Sequence, residues 1–238
     1  MSILVNSSVD EWGGITYTPT AAGFTAIVLA ILALLILGCG LFGHRQKLST
    51  RQLSVSSLAI ALGVVTSMIE LIHMPMGGSV TLFSMLFISL VGYWNGLRPG
   101  IMTAVAYGLL QMLINPYIIS VPQMICDYLL AFGALGLSGL FCHSAHGLLK
   151  GYLTAVLGRY FFSFLSGWIF FGTYASDYGF RSAVLYSLAY NGAYLGLEAL
   201  FTVILISIPN VQNALGYVRQ FTADDAEEHS AASRHRIA

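Results

Sequence analysis

The segment 182–208, "SAVLYSLAYNGAYLGLEALFTVILISI", runs for 27 residues without a proline or a basic residue and with a single acid, Glu198. A hydrocarbon slab about 30 Å thick is crossed by about 20 predominantly apolar helical residues, so this stretch is long enough to span a bilayer. Six further apolar runs precede it, at 21–43, 53–72, 80–97, 100–115, 122–142 and 148–172. All six prolines (Pro19, Pro75, Pro99, Pro116, Pro122 and Pro209) fall between these runs or at their edges. Proline breaks helix interiors, so its placement supports the partition. The fourth run carries Tyr107, Gln111 and Asn115, which points to a helix lining an interior space.

Composition agrees. Hydrophobic residues make up 57% of the 238 and charged residues only 8%, whereas a soluble domain carries roughly 25% charged residues. The chain reads as an all-α integral membrane protein. Its formal charge is zero and it has no basic run, which argues against nucleic acid as a partner. Cys39, Cys126 and Cys142 lack CxxC spacing and nearby histidines, so they read as small apolar fillers rather than metal ligands or disulfide halves. No cofactor is implied. HExxH, GxSxG and Walker A patterns are missing, so uphill transport would draw its energy from a partner or an ion gradient.

Orientation follows from the basic residues. Arg45, Lys47 and Arg51, then Arg98, Lys150, Arg219, Arg234 and Arg236 fall on one side if the spans alternate; Arg181 lies on the other and Arg159 within a span. The positive-inside tendency then places the N-terminus outside and the C-terminus in the cytoplasm of a bacterial cell membrane. Four parts result: an external segment at 1–20, an extra transmembrane helix at 21–43, a six-helix domain at 52–208, and a polar, mixed-charge cytoplasmic tail at 209–238, expected to lack fixed structure. The first span is no secretory leader, because its positive charge follows the apolar stretch; "ILGCG" around Cys39 only faintly resembles a lipoprotein box.

Ionisable groups inside spans are costly and so informative. They are Glu70, Asp127, Arg159 and Glu198. Glu70, beside His73 near a helix end, reads as an interfacial residue, while Arg159 is open to pairing with Asp127 or Glu198. Tyr186, Tyr190, Tyr194 and Glu198 recur every four residues and share one helix face, with Asn191 beside them. The aromatic run "RYFFSFLSGWIFFGTY" lies close by in sequence. Aromatic faces and a carboxylate suit an organic cation with nitrogen donors, by roughly 2 kcal/mol or more per desolvated cation–ring contact. Simple interhelical packing of the tyrosines is the plainer reading.

The ordered blocks "MPMGGSVTLFSML" (74–86), "YGLLQ" (107–111), "PYI" (116–118), "PQMICDYLLAFGALGLSGLF" (122–141), "RYFFSFLSG" (159–167) and "YSLAYNGAY" (186–194) resemble the thiamine-specific substrate-binding (S) components of energy-coupling-factor (ECF) vitamin transporters. The resemblance covers about residues 52–208. It implies a six-helix domain that captures thiamine from outside with high affinity and docks on a transmembrane coupling protein driven by two ATPase subunits. The family's acidic–aromatic pair falls on Asp127 and Tyr128, the acid binding the aminopyrimidine, and the tyrosine and asparagine of its "YSLxxNG" block fall on Tyr186 and Asn191. Tyr190 and Glu198 continue that face. Ser163 stands where family members have the histidine of "FFHF", and Phe171 where a stacking tryptophan is known; Trp168 lies three residues away. Ala59 and Gly63 in "AIALG" supply the family's small-residue docking spacing. Three alternatives stay open: an S component for a thiamine precursor or another vitamin, a polytopic membrane enzyme using Asp127 and Glu198 as acid and base, and a structural subunit with all its intramembrane charges paired.

Overall fold

The structure, a computed structural model, describes residues 5–9, 15–20, 22–23, 25, 49–74 and 78–235. The expected extra helix at 21–43 therefore lies almost wholly outside the described residues. An antiparallel hairpin, β1 (Val5–Val9) and β2 (Ile15–Pro19), comes first. Among the described residues between Thr50 and Ile206 the long helices are α1 (Thr50–Ser67), α2 (Ser84–Asn95), α3 (Leu97–Ile114), α4 (Val121–Phe141), α5 (Gly147–Phe170) and α6 (Ala183–Ile206), with a short 3₁₀ turn, Gly172–Ala175, after α5. Four of these, α3 to α6, are long and apolar enough to cross a membrane.

Two of the apolar runs fold differently from expectation. The run at 53–72 leaves the helix at Ser67, and Glu70–His73 forms strand β3, paired antiparallel with β4 (Ser79–Thr81). Pairing between β3 and β4 satisfies backbone groups that the helix no longer serves. Glu70 is thus a strand residue and not a helix-end residue. The run at 80–97 yields only the 12-residue α2, about 18 Å long at 1.5 Å per residue.

α4 changes pitch along its length. Ile125–Ala131 forms a wide π turn and Ala134–Phe141 a tight 3₁₀ segment. In a 3₁₀ helix residues i and i+3 eclipse, so Gly133, Gly136 and Gly139 line a single edge. A Cβ on Gly136 would run into the backbone of Gly100 and Ile101, so α3 lies directly on that edge. Three-residue glycine spacing and 3₁₀ geometry are thus one feature.

α1 turns its small residues inward. Ala59 is 4% exposed, and a Cβ on Gly63 would lie 3.0 Å from Ile88 Cδ1 and 3.2 Å from the Tyr107 ring. Their small size lets α2 and α3 approach within the chain, while Leu53, Leu58, Leu62 and Val65 of α1 are exposed. The tail also departs from expectation, forming helix α7 (Pro209–His235) with proline at its first position. Its first half is tied down. Trp94 Nε1 donates to the Leu215 carbonyl at 3.1 Å, and Arg219 donates to Tyr93 Oη and the Cys142 carbonyl. Arg51 stands 4.8 Å over the Phe221 ring. α7 thus crosses the ends of α1, α2 and α4 opposite the β3–β4 hairpin.

Candidate functional site

At the hairpin end, the helices enclose a cavity of about 390 Å³. Its wall includes Asp127, Tyr128, Ser163, Phe171, Tyr186, Tyr190 and Asn191, brought together from α4, α5, α6 and the turn after α5. The polar residues of α3, Tyr107, Gln111 and Asn115, line it too.

The wide turn of α4 presents Asp127 to the cavity. A π turn opens the helix by one residue, and such turns recur at functional sites. Gly108 of α3 sits against it, and a Cβ there would strike the Tyr128 carbonyl. One turn earlier, Gln123 Nε2 donates to Asp127 Oδ2 at 2.6 Å and to the Tyr117 carbonyl at 3.1 Å, while its Oε1 accepts from Ile119 N–H. Tyr128 Oη accepts from Tyr117 N–H and donates to the Asn115 carbonyl, both at 2.8 Å, which pins the 115–117 loop. Gln123 and Ser166 are site residues that the sequence reading passed over. The one available signal for Gln123 was its position four residues before Asp127.

Arg159 also lines the cavity, with its guanidinium carbon 4.2 Å from the Phe132 ring centroid. Its Nε is buried and makes no hydrogen bond to the protein. Among the described residues, no acid forms an ion pair with it; His73 and Glu70, in β3, hydrogen-bond to each other at 2.6 Å. The internal pairing with Asp127 or Glu198 that the sequence left open is not made.

Aromatic rings form a continuous wall. Phe171 stacks on Tyr117 (centroids 5.8 Å, 28°), Tyr186 stacks on Tyr178 (5.6 Å, 24°), and Tyr186, Tyr190 and Tyr194 succeed one another at 5.7 and 5.8 Å. Trp168, by contrast, is 46% exposed and stacks on Phe164, so it does not stand in beside Phe171. Tyr190 Oη accepts from Gly78 N–H at 3.1 Å, fastening the hairpin over the cavity. Asn191 is held from both ends: Oδ1 accepts from Tyr194 Oη at 3.0 Å, and Nδ2 donates to the Ser187 carbonyl at 3.0 Å.

Glu198 lies elsewhere. It is 2% exposed, outside the cavity wall, and its carboxylate accepts from Thr81 Oγ1 (2.7 Å), Thr81 N–H (3.4 Å), Ser84 Oγ (3.1 Å) and Met85 N–H (3.0 Å). Phe83, at the N-cap of α2, has left-handed backbone (φ 63°) and offers no side-chain cap. Glu198 supplies that cap from α6, with its negative charge at the positive end of the helix dipole. Its place on the tyrosine stripe is a consequence of the four-residue period, and its partners make it a brace.

The family profile described as thiamine transporter protein (Thia_YuaJ) matches residues 53–216, well over half of the chain. The chain belongs to the thiamine transporter family. It is 32% identical over 155 residues to the thiamine transporter ThiT of Bacillus subtilis (strain 168), covering 59% of this chain and 78% of that protein. A solved structure of ThiT from Listeria monocytogenes superposes with a TM-score of 0.53 at 25% identity, covering 67% of this chain and 96% of that one. Its relatives are named as transporters, which makes the chain a transport protein and disposes of the enzyme alternative. Together with the apolar helices, family membership makes it a multi-pass membrane protein.

Proposed function

We propose that this chain captures thiamine at the outer face of a bacterial membrane and delivers it to an ECF coupling protein with two ATPase subunits. The single observation that carries the reading is the cavity at the hairpin end, which joins a carboxylate on a wide helical turn to a wall of stacked aromatic rings. Its volume suits one small molecule. The thiamine transporter family supports the choice of ligand. Asp127 accepts from the aminopyrimidine, a charge-assisted bond that discriminates against ligands lacking the amino group. Tyr128, Phe171, Tyr186 and Tyr190 enclose the rings, and Ser163 and Asn191 border them. Opposite the cavity, the end crossed by α7 carries Arg51, Arg98 and Arg219, and the positive-inside tendency supports a cytoplasmic side for it. Docking on the coupling protein uses α1, the helix that carries Ala59 and Gly63 at the small-residue spacing that admits close helix approach. Detergent-purified protein titrated with thiamine, with tryptophan fluorescence as the signal, tests the proposal. Saturable quenching at submicromolar thiamine is expected. A folded protein silent to thiamine but responsive to the free aminopyrimidine or another vitamin would keep the transport class and change the ligand.

A further inference from the structure

Gln123 is 1% exposed on the cavity wall, and both ends of its side-chain amide have protein partners. One Nε2 proton goes to Asp127 Oδ2 at 2.6 Å and the other to the Tyr117 carbonyl at 3.1 Å, while Oε1 accepts from Ile119 N–H at 3.2 Å. These three partners fix which way the amide faces. Turned over, it would set an oxygen against the carboxylate and the carbonyl, and an NH₂ against an N–H. The backbone of Gln123 is held as well. Ser120 Oγ caps the start of α4 by accepting from Gln123 N–H at 3.3 Å, and the wide turn that carries Asp127 begins soon after, at Ile125.

Resting on the thiamine reading, we infer that Gln123 is a positioning residue for ligand selectivity: it holds Asp127 as an acceptor for the ligand's amino group. An aspartate side chain has two free torsions, and a short bond to one carboxylate oxygen settles both. Gln123 takes Oδ2 as its acceptor, so the carboxylate cannot swing without breaking that bond. The same amide reaches back to residues 117 and 119, which ties the acid to the loop that carries Tyr117, the ring stacked on Phe171 at 5.8 Å. The acid and part of the aromatic wall are thereby kept at one spacing. Selectivity follows from the fixed geometry. A ligand with an amino donor matches a fixed acceptor, whereas one with an oxygen there needs the carboxylate to turn away, and the bond from Gln123 opposes that turn.

The test compares thiamine with oxythiamine, in which a carbonyl oxygen replaces the pyrimidine amino group. Wild type, Gln123→Met and Gln123→Asn are each titrated with both. Methionine removes the amide at similar length, and asparagine withdraws it from Asp127 by a methylene. Both variants should lose about tenfold or more in thiamine affinity, with oxythiamine affinity held within about threefold. Oxythiamine binding doubles as the check that the cavity is folded. In an Asp127→Ala background, Gln123→Met should cost no more than about twofold further, because Gln123 acts through the acid. Equal losses for both ligands, unchanged thiamine affinity, or a further loss of about tenfold in the Asp127→Ala background would overturn the assignment. A wild-type protein that binds neither ligand would instead remove the thiamine reading beneath it, and that result is visible before any variant is made.

Discussion

Replacing Glu198 separates a brace from a ligand group. Its carboxylate collects four donors at the start of α2, two hydroxyls and two backbone N–H groups. In Glu198→Ala the hydroxyls of Thr81 and Ser84, already 2.7 Å apart, can serve each other. The Met85 and Thr81 N–H groups have no such recourse. Losing a charge-assisted bond costs about 1.5–3 kcal/mol, and orphaning a buried donor about 1–3 kcal/mol, so Glu198→Ala should destabilise by about 4 kcal/mol. Glu198→Gln keeps one acceptor oxygen but turns an NH₂ toward donors, for a loss of about 2 kcal/mol. At roughly 2–4 °C per kcal/mol for a chain of this size, the alanine variant should melt about 8–16 °C lower. Thermal unfolding in detergent, followed by intrinsic fluorescence, reads the shift; thiamine titration well below the melt reads the site. Binding should survive at low temperature. An unchanged melting temperature would refute the brace, and full stability with binding lost would make Glu198 a ligand group after all.

Three other outcomes are expected. Asp127→Asn should weaken thiamine binding about 10- to 100-fold, the equivalent of one charge-assisted hydrogen bond, with little change in melting temperature; calorimetric titration checks it. Gly108→Ala should lower the melting temperature by several degrees, because the new methyl meets the Tyr128 carbonyl and the wide turn of α4 must shift. Deleting residues 1–43 should leave thiamine affinity within about twofold of the full chain, since the described cavity wall begins at Ser67.

The helices α3 to α6 were legible because hydrocarbon imposes a blunt rule: about 20 apolar residues with no proline inside. Legibility failed where that rule is silent. Residues 70–72 and 80–81 close one apolar run and open the next, yet Glu70–His73 and Ser79–Thr81 pair with each other as antiparallel strands. The tail looked too polar to order itself, but Trp94, Tyr93 and Cys142 supply partners that only the folded chain brings near. Small residues at four-residue spacing announced close approach correctly and left open whether the neighbour was another subunit or α2 and α3 of the same chain. In the site, Asp127 stood out because a carboxylate in an apolar run demands an explanation, whereas Gln123 did not because a lone amide near a span end does not.

The sequence by itself determined the membrane class, the long apolar helices and the residues that cost most to bury. Those properties are local: apolar length, proline placement and charge scarcity act wherever the segment lies. Tertiary structure alone decided which costly residues share a space. Tyr186, Tyr190, Tyr194 and Glu198 occupy one stripe of α6, and nothing in their spacing tells a cavity wall from a helix cap. Depth along the bundle makes the difference: the tyrosines run from beside the hairpin into the interior, while Glu198 lies one turn beyond Tyr194, against the bare N-terminus of α2. Charge pairing is decided in the same way, since whether Arg159 meets an acid or an aromatic ring depends on a neighbouring helix.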